Sequence, residues 1–150
     1  MALKQRIEND LKAALLGGNR FVSDVLRGLK ATILNEEVAQ GKRDEGLDDA
    51  TIEQLIAKEV KKRAESAALY EQGGRPELAQ TEQQEAEVLR QYLPKQLSET
   101  ELRSIVEAKV AELDVSGPAA MGQVIGAVKK EVGTAADGAT LAKIVKETLS

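Results

Sequence analysis

The sequence predicts an all-α fold: two small helical domains of about three helices each, joined by a partly helical linker. Of the 150 residues only Phe21, Tyr70 and Tyr92 are aromatic, so the core is built from Leu, Ile, Val and Ala, the composition of small helical bundles rather than β-sandwiches. Apolar residues recur at spacings of three and four along most of the chain, and the strict alternation of strands is absent. Helix-start and helix-stop residues punctuate those stripes.

Leu3, Ile7, Leu11, Ala14 and Leu15 form the first stripe, and Gly17-Gly18-Asn19 stops it. Val22, Val25, Leu26, Leu29, Ile33, Leu34 and Val38 make a longer second helix that ends at Gly41, before the charged loop Lys42–Gly46. Asp48 and Asp49 open a third helix, where the positive end of the helix dipole favours acidic side chains, and its stripe is Ile52, Leu55, Ile56, Val60, Ala64 and Ala67. Gly73-Gly74 closes it.

Pro76 suits the first turn of a fourth helix. Its apolar positions Leu78, Ala79, Ala86, Leu89 and Leu93 are interrupted by Glu82 and Glu85, so it reads as a connector. Tyr92-Leu93-Pro94 ends it, because the residue before proline is pushed out of the helical region. Ser98 and Glu101 form a capping box for a fifth helix carrying Leu102, Ile105, Val106, Val110 and Leu113, which Ser116-Gly117-Pro118 stops. A sixth helix is expected from about Ala119 to Val132. A seventh follows from about Ala139 to Leu149, with Asp137 as N-cap and Leu141, Ile144, Val145 and Leu149 inward. The expected division is an N-terminal domain over 1–74, a connector over 75–97 and a C-terminal domain over 98–150.

The chain has no histidine and no cysteine. That removes imidazole bases, thiol nucleophiles, disulfides and the usual zinc ligand sets. Catalysis would rest on carboxylates, lysines and hydroxyls alone, and none of the acidic pairs Glu36-Glu37, Asp48-Asp49 or Glu85/Glu87 sits in an apolar run that would raise a pKa for acid catalysis. No cofactor and no metal are expected, and no catalytic residue is assigned. The net charge of −4 argues against a strongly basic nucleic-acid binder while leaving room for a local basic patch. No apolar run approaches a membrane span and the N-terminus lacks a signal-peptide core, so a soluble cytoplasmic protein without a membrane partner is expected.

The residues singled out for binding lie in the last thirty. Gly122 and Gly126 are four apart inside a helical pattern, where glycine costs about 1 kcal/mol against alanine. They leave a smooth backbone strip that suits either close helix packing within the domain or approach by an RNA backbone. Lys129 and Lys130 end that helix, and Lys143 and Lys146 share a stripe on the next. The four read either as a phosphate-binding patch or as dipole-complementing, solvated lysines. With no aromatic nearby, RNA contact would be to backbone and shape rather than to unstacked bases. A second basic cluster, Lys58, Lys61, Lys62 and Arg63, reads as a self-paired face through Glu59–Arg63 and Lys61–Glu65.

Leu26-Arg-Gly-Leu-Lys30, Lys62-Arg-Ala-Glu-Ser66, Gly74-Arg-Pro-Glu-Leu-Ala79, Glu85, Tyr92-Leu-Pro-Lys-Gln-Leu97, Met121-Gly-Gln-Val-Ile-Gly126 and Ala136-Asp-Gly138 occur in that order. In these the chain resembles the YqeY family, also called the GatB/YqeY family, over nearly its whole length. The resemblance implies a two-domain helical fold whose C-terminal half is similar to the tail of the B subunit of aspartyl/glutamyl-tRNA amidotransferase, which helps that enzyme bind tRNA. It makes Gly122, Gln123, Gly126, Lys129, Lys130, Lys143 and Lys146 the expected RNA-binding residues. Gln123 and Thr134-Ala135 stand where the family pattern commonly carries basic residues.

Three functions follow as expectations. The first is a non-catalytic accessory module that docks on tRNA or a tRNA-processing enzyme. The second is a protein-protein adaptor without RNA, its partner an aminoacyl-tRNA synthetase or amidotransferase subunit. The third is participation in carbon-nitrogen ligase activity with glutamine as amido-N-donor, a label carried by the family, for which the sequence has no phosphate-cradling Gly-x-x-x-x-Gly-Lys-Ser/Thr loop.

Overall fold

Asn19, Asp48, Ser98 and Asp137 start four of the helices by the same device: a side-chain oxygen accepts a hydrogen bond from a backbone N–H that the first helical turn leaves unpaired. The donors are Val22 (3.2 Å), Thr51 (2.8 Å), Glu101 (3.1 Å) and Thr140 (3.1 Å). Glu101 also accepts from the Ser98 backbone N–H at 3.3 Å, which completes the capping box. Each such cap contributes about 1 kcal/mol.

The computed structural model describes residues 2–150. Among them the helices are α1 (Leu3–Leu16), α2 (Arg20–Ala39), α3 (Asp49–Gln72), α4 (Pro76–Arg90), α5 (Glu99–Leu113), α6 (Met121–Val132) and α7 (Gly138–Leu149), with short 3-10 turns at Pro118–Ala120 and Gly133–Ala135. There is no strand among the described residues. The chain divides into two compact units, Met1–Leu93 and Pro94–Ser150.

In the first unit Leu3, Ile7 and Leu11 of α1 pack with Val25, Leu26, Leu29 and Ile33 of α2, Ile52 and Ile56 of α3, and Leu89 and Tyr92 from the end of α4. The helix expected as a connector is therefore part of this core. Its register is set by Ala79, Ala86 and Leu89, all buried, and Glu85, one of the residues that made it look half-polar, pairs with Arg63 of α3 at 3.3 Å. Residues 75–93 thus belong to the first unit, which has four helices rather than about three. Leu15, Leu34, Val38 and Leu78, expected on inward stripes, are exposed.

Two carboxylates hold the first unit where propensity does not. Ala2 provides no side-chain cap for α1; instead Asp49 accepts from the Leu3 N–H at 3.0 Å. Glu37, 1% exposed, accepts from Lys4 Nζ at 2.9 and 3.2 Å and from the Leu47 N–H at 3.2 Å, pinning the α2–α3 loop against α1. The hydrogen bond from Lys4 is the main reason the Glu37 carboxyl lies below the usual range, outweighing burial. The Glu59–Arg63 pair forms at 2.7 Å, whereas Lys61 and Glu65 make no ion pair among the described residues, and Lys62 approaches Glu59 at 4.0 Å.

The second unit is a three-helix bundle closed by Leu102 and Val106 of α5, Val124 and Val128 of α6, and Leu141, Ile144, Val145 and Leu149 of α7. Its leading segment is tied to the α6–α7 turn: the Leu97 N–H donates to the Ala135 carbonyl at 2.8 Å, and Gln96 Nε2 donates to the Thr134 carbonyl at 2.9 Å.

Candidate nucleic-acid interface

Val124 and Val128 are fully buried, which fixes the rotation of α6 and turns Gly122, Gln123, Gly126, Lys129 and Lys130 outward; all five are exposed. Gly122, Gly126 and Lys130 follow one another at intervals of four, a single row along the outer face. A Cβ built at Gly122 or Gly126 meets nothing within 4 Å. The glycines are therefore not used for close packing inside the domain, one of the two readings the sequence allowed. The helix bears their propensity cost at positions where a side chain would have room.

On α7, burial of Leu141, Ile144 and Val145 turns Lys143 and Lys146 to solvent. The arrangement of the acidic residues gives the lysines their significance. Glu131 of α6 pairs with Lys109 of α5 at 3.5 Å, Glu147 of α7 pairs with Arg103 of α5 at 2.8 Å, and Asp137 is occupied as the α7 cap. Every acidic residue of α6, α7 and the turn between them is thus engaged. Lys129, Lys130, Lys143 and Lys146 have no ion-pair partner among the described residues. The hydrogen bond from Arg103 holds the Glu147 carboxyl below its usual range, with Lys143 adding to the effect; Glu112 and Glu131 together hold Lys109 above its own.

Helical geometry divides the four lysines. Successive residues turn by about 100°, so Lys129, two before Glu131, lies on the flank of α6 away from α5. Lys130 continues the glycine row. Lys146, one before Glu147, is also rotated away from α5, whereas Lys143 lies one turn before Glu147 and shares its flank. Lys129, Lys130 and Lys146 thus form the unscreened part of the surface, and Lys143 sits at its edge beside an acid. Gly133, after the two lysines, has φ 54 and ψ −129, a conformation that essentially only glycine adopts, and it sets the α6–α7 turn.

Sequence reasoning missed Arg103 and Lys109, because pairing across helices is invisible to a one-dimensional count. It also missed Gln96, whose anchoring role depends on a carbonyl thirty-eight residues away. Among the described residues no group of three or more Asp or Glu is placed to hold a metal. A cavity of about 210 Å³ between α1 and α2 is lined by Ile7, Ile33 and Leu34, with its charges already matched as Lys4–Glu37 and Lys30–Glu8.

Curated relatives share the name altered inheritance of mitochondria protein 41, mitochondrial. The one from Clavispora lusitaniae is 30% identical over 61% of this chain and 52% of its own length. That from Lachancea thermotolerans is 30% identical over 75% and 60%, and that from Pyrenophora tritici-repentis is 26% identical over 96% and 79%. The chain spans about half the length of the first relatives it matches. Their names overturn the cytoplasmic location expected above: that expectation rested on the lack of a signal-peptide core and a membrane span, neither of which separates cytosol from an organelle interior. Residues 4–149 match the family model described as Yqey-like protein, and the chain belongs to the YqeY family.

Proposed function

We propose that this chain is a non-catalytic accessory module whose second unit docks on tRNA through the outer faces of α6 and α7. The observation that carries the reading is the pairing of an open glycine row with unpaired lysines. Gly122 and Gly126 let a phosphodiester backbone approach the helix closely, and Lys129, Lys130, Lys143 and Lys146 meet its phosphates because Arg103 pairs with Glu147, and Lys109, shared with Glu112, partly offsets Glu131. Gln123 offers an amide to a ribose or phosphate oxygen. The resemblance of this half to an amidotransferase tail supports the same partner.

A binding role also suits the ionisation of the carboxylates. Those that shift, Glu37, Asp48, Glu101 and Glu147, all shift downward because each accepts hydrogen bonds, whereas a general acid needs a carboxyl held protonated. Any amide transfer would then belong to a partner enzyme.

Charge reversal tests the reading: Lys129→Glu with Lys146→Glu abolishes retention of total tRNA by the full chain at low salt, while Lys58→Glu with Lys62→Glu on α3 leaves it. Unchanged retention in the first variant would sink the RNA reading. A partner recovered from nuclease-treated lysate and lost on Gly126→Leu would transfer the same surface to a protein helix.

A further inference from the structure

From Leu11 to Ser23 the chain carries no acidic side chain, and this stretch folds into the hairpin end between α1 and α2. Leu16 is 91% exposed, Leu15 48% and Phe21 39%. Lys12 lies one turn before Leu15 and Leu16 on the same exposed face of α1, and Arg20 precedes Phe21 at the start of α2. Neither cation has an ion-pair partner among the described residues. The acids flanking the stretch are committed elsewhere, Asp10 to the Tyr92 hydroxyl at 2.6 Å and Asp24 to Arg27 at 3.8 Å. At the apex, a Cβ built on Gly18 meets nothing within 4 Å.

We propose that this tip is a peripheral docking surface for an anionic lipid membrane. The shape favours lipid over a folded partner. The apolar side chains stand on a convex end rather than in a groove, and a fluid interface accepts a protrusion that a protein could receive only in a matching hollow. The charge complements it: two unpaired cations flank the leucines and the phenylalanine, the arrangement that places apolar groups at the acyl boundary and cations among anionic headgroups. Other exposed apolar residues have acids close by: Leu34 lines a hollow with Lys30 and Glu8, Leu69 lies one turn after Glu65, and Leu78 directly follows Glu77. Among the described residues no helix is long and apolar enough to cross a membrane. The expectation of no membrane partner rested on that criterion, and a peripheral contact does not need a spanning helix.

The chain contains no tryptophan, so Leu16→Trp gives a lone indole at the tip. With vesicles of phosphatidylcholine mixed with phosphatidylglycerol, its emission shifts to the blue and the protein sediments with the vesicles. With phosphatidylcholine alone both effects are much weaker. Lys12→Gln and Arg20→Gln each reduce partition roughly fivefold, and Leu16→Ser in the otherwise unchanged chain reduces it further without altering the helical circular dichroism. Absence of a shift with anionic vesicles, or partition that Leu16→Ser leaves intact, overturns the proposal. A blue shift without lipid that grows with protein concentration also overturns it and assigns the tip to a second copy of the chain.

Discussion

The hydroxyl of Tyr92 donates a 2.6 Å hydrogen bond to the carboxylate of Asp10, and the Arg6 guanidinium lies 4.8 Å from the centre of the same ring. Arg6 also donates to the Gln91 carbonyl at 3.1 Å. The turn that follows α4 is thereby fastened to α1, immediately before the first unit ends at Leu93. Burial, with help from Asp10, raises the Tyr92 phenol well above its usual pKa. A raised pKa means that the folded state favours the protonated phenol, so this contribution is complete below about pH 10 and is lost as pH rises beyond it. Tyr92→Phe costs about 1.5–3 kcal/mol at neutral pH, and denaturant melts show a smaller further loss on going to strongly alkaline pH in the variant than in the parent.

Glu37 has the opposite sign. Its folded pKa is lowered, so its contribution is present above the unfolded value of about 4.3 and disappears as pH falls below it. Lys4→Met leaves a buried carboxylate with only the Leu47 N–H. The expected loss is about 2–4 kcal/mol at pH 7, below the range for a fully buried pair because Lys4 is itself partly exposed. Acid unfolding of that variant begins at higher pH than in the parent. An unchanged acid midpoint would show that Lys4 is not what holds Glu37 ionised.

Gly126→Ala separates structural from functional use of the glycine row. The site lies within α6 and an added Cβ meets nothing within 4 Å, so alanine raises stability by about 0.5–1 kcal/mol. Under the RNA reading the same variant binds tRNA more weakly, because the backbone can no longer approach as closely. Gain in one thermal melt and loss in one binding titration check both halves.

Gln96→Ala removes the hydrogen bond to the Thr134 carbonyl and a second to the Pro94 carbonyl. Gln96 is exposed, so the stability cost is no more than about 1 kcal/mol. Faster hydrogen exchange is expected at the Ala135 to Gly138 amides, with the cores of α5 and α7 unchanged.

Caps, stripes and stops made the helices legible in the sequence: Ser98 and Asp137 each sit where the structure uses them as N-caps, and Asp48, read as a first-turn acid, is the cap of α3. What the stripes could not reveal was how much of each faces a neighbour. Leu34 and Val38 continue the α2 periodicity with nothing packed over them, while Glu37 between them is buried because Lys4 and the Leu47 N–H satisfy it. The α4 helix looked polar because Glu85 pairs across to Arg63 and because two of its buried positions, Ala79 and Ala86, are alanines, which register weakly as apolar. At the candidate site, the sequence left Gly122 and Gly126 open to packing within the domain or to an outward face, and the burial of Val124 and Val128 is what turns them outward. The pairing of Glu131 and Glu147 with Lys109 and Arg103 of α5 had no signature in a linear pattern, and it draws those acids away from the lysines.

The most direct test of the RNA reading is a titration of total tRNA against the full chain across salt concentration, with duplex RNA of equal length in parallel. Four lysines on phosphates predict a slope of log affinity against log salt of about three to four, with tRNA preferred over the duplex. No binding at low salt, or a slope near zero, would contradict docking through α6 and α7.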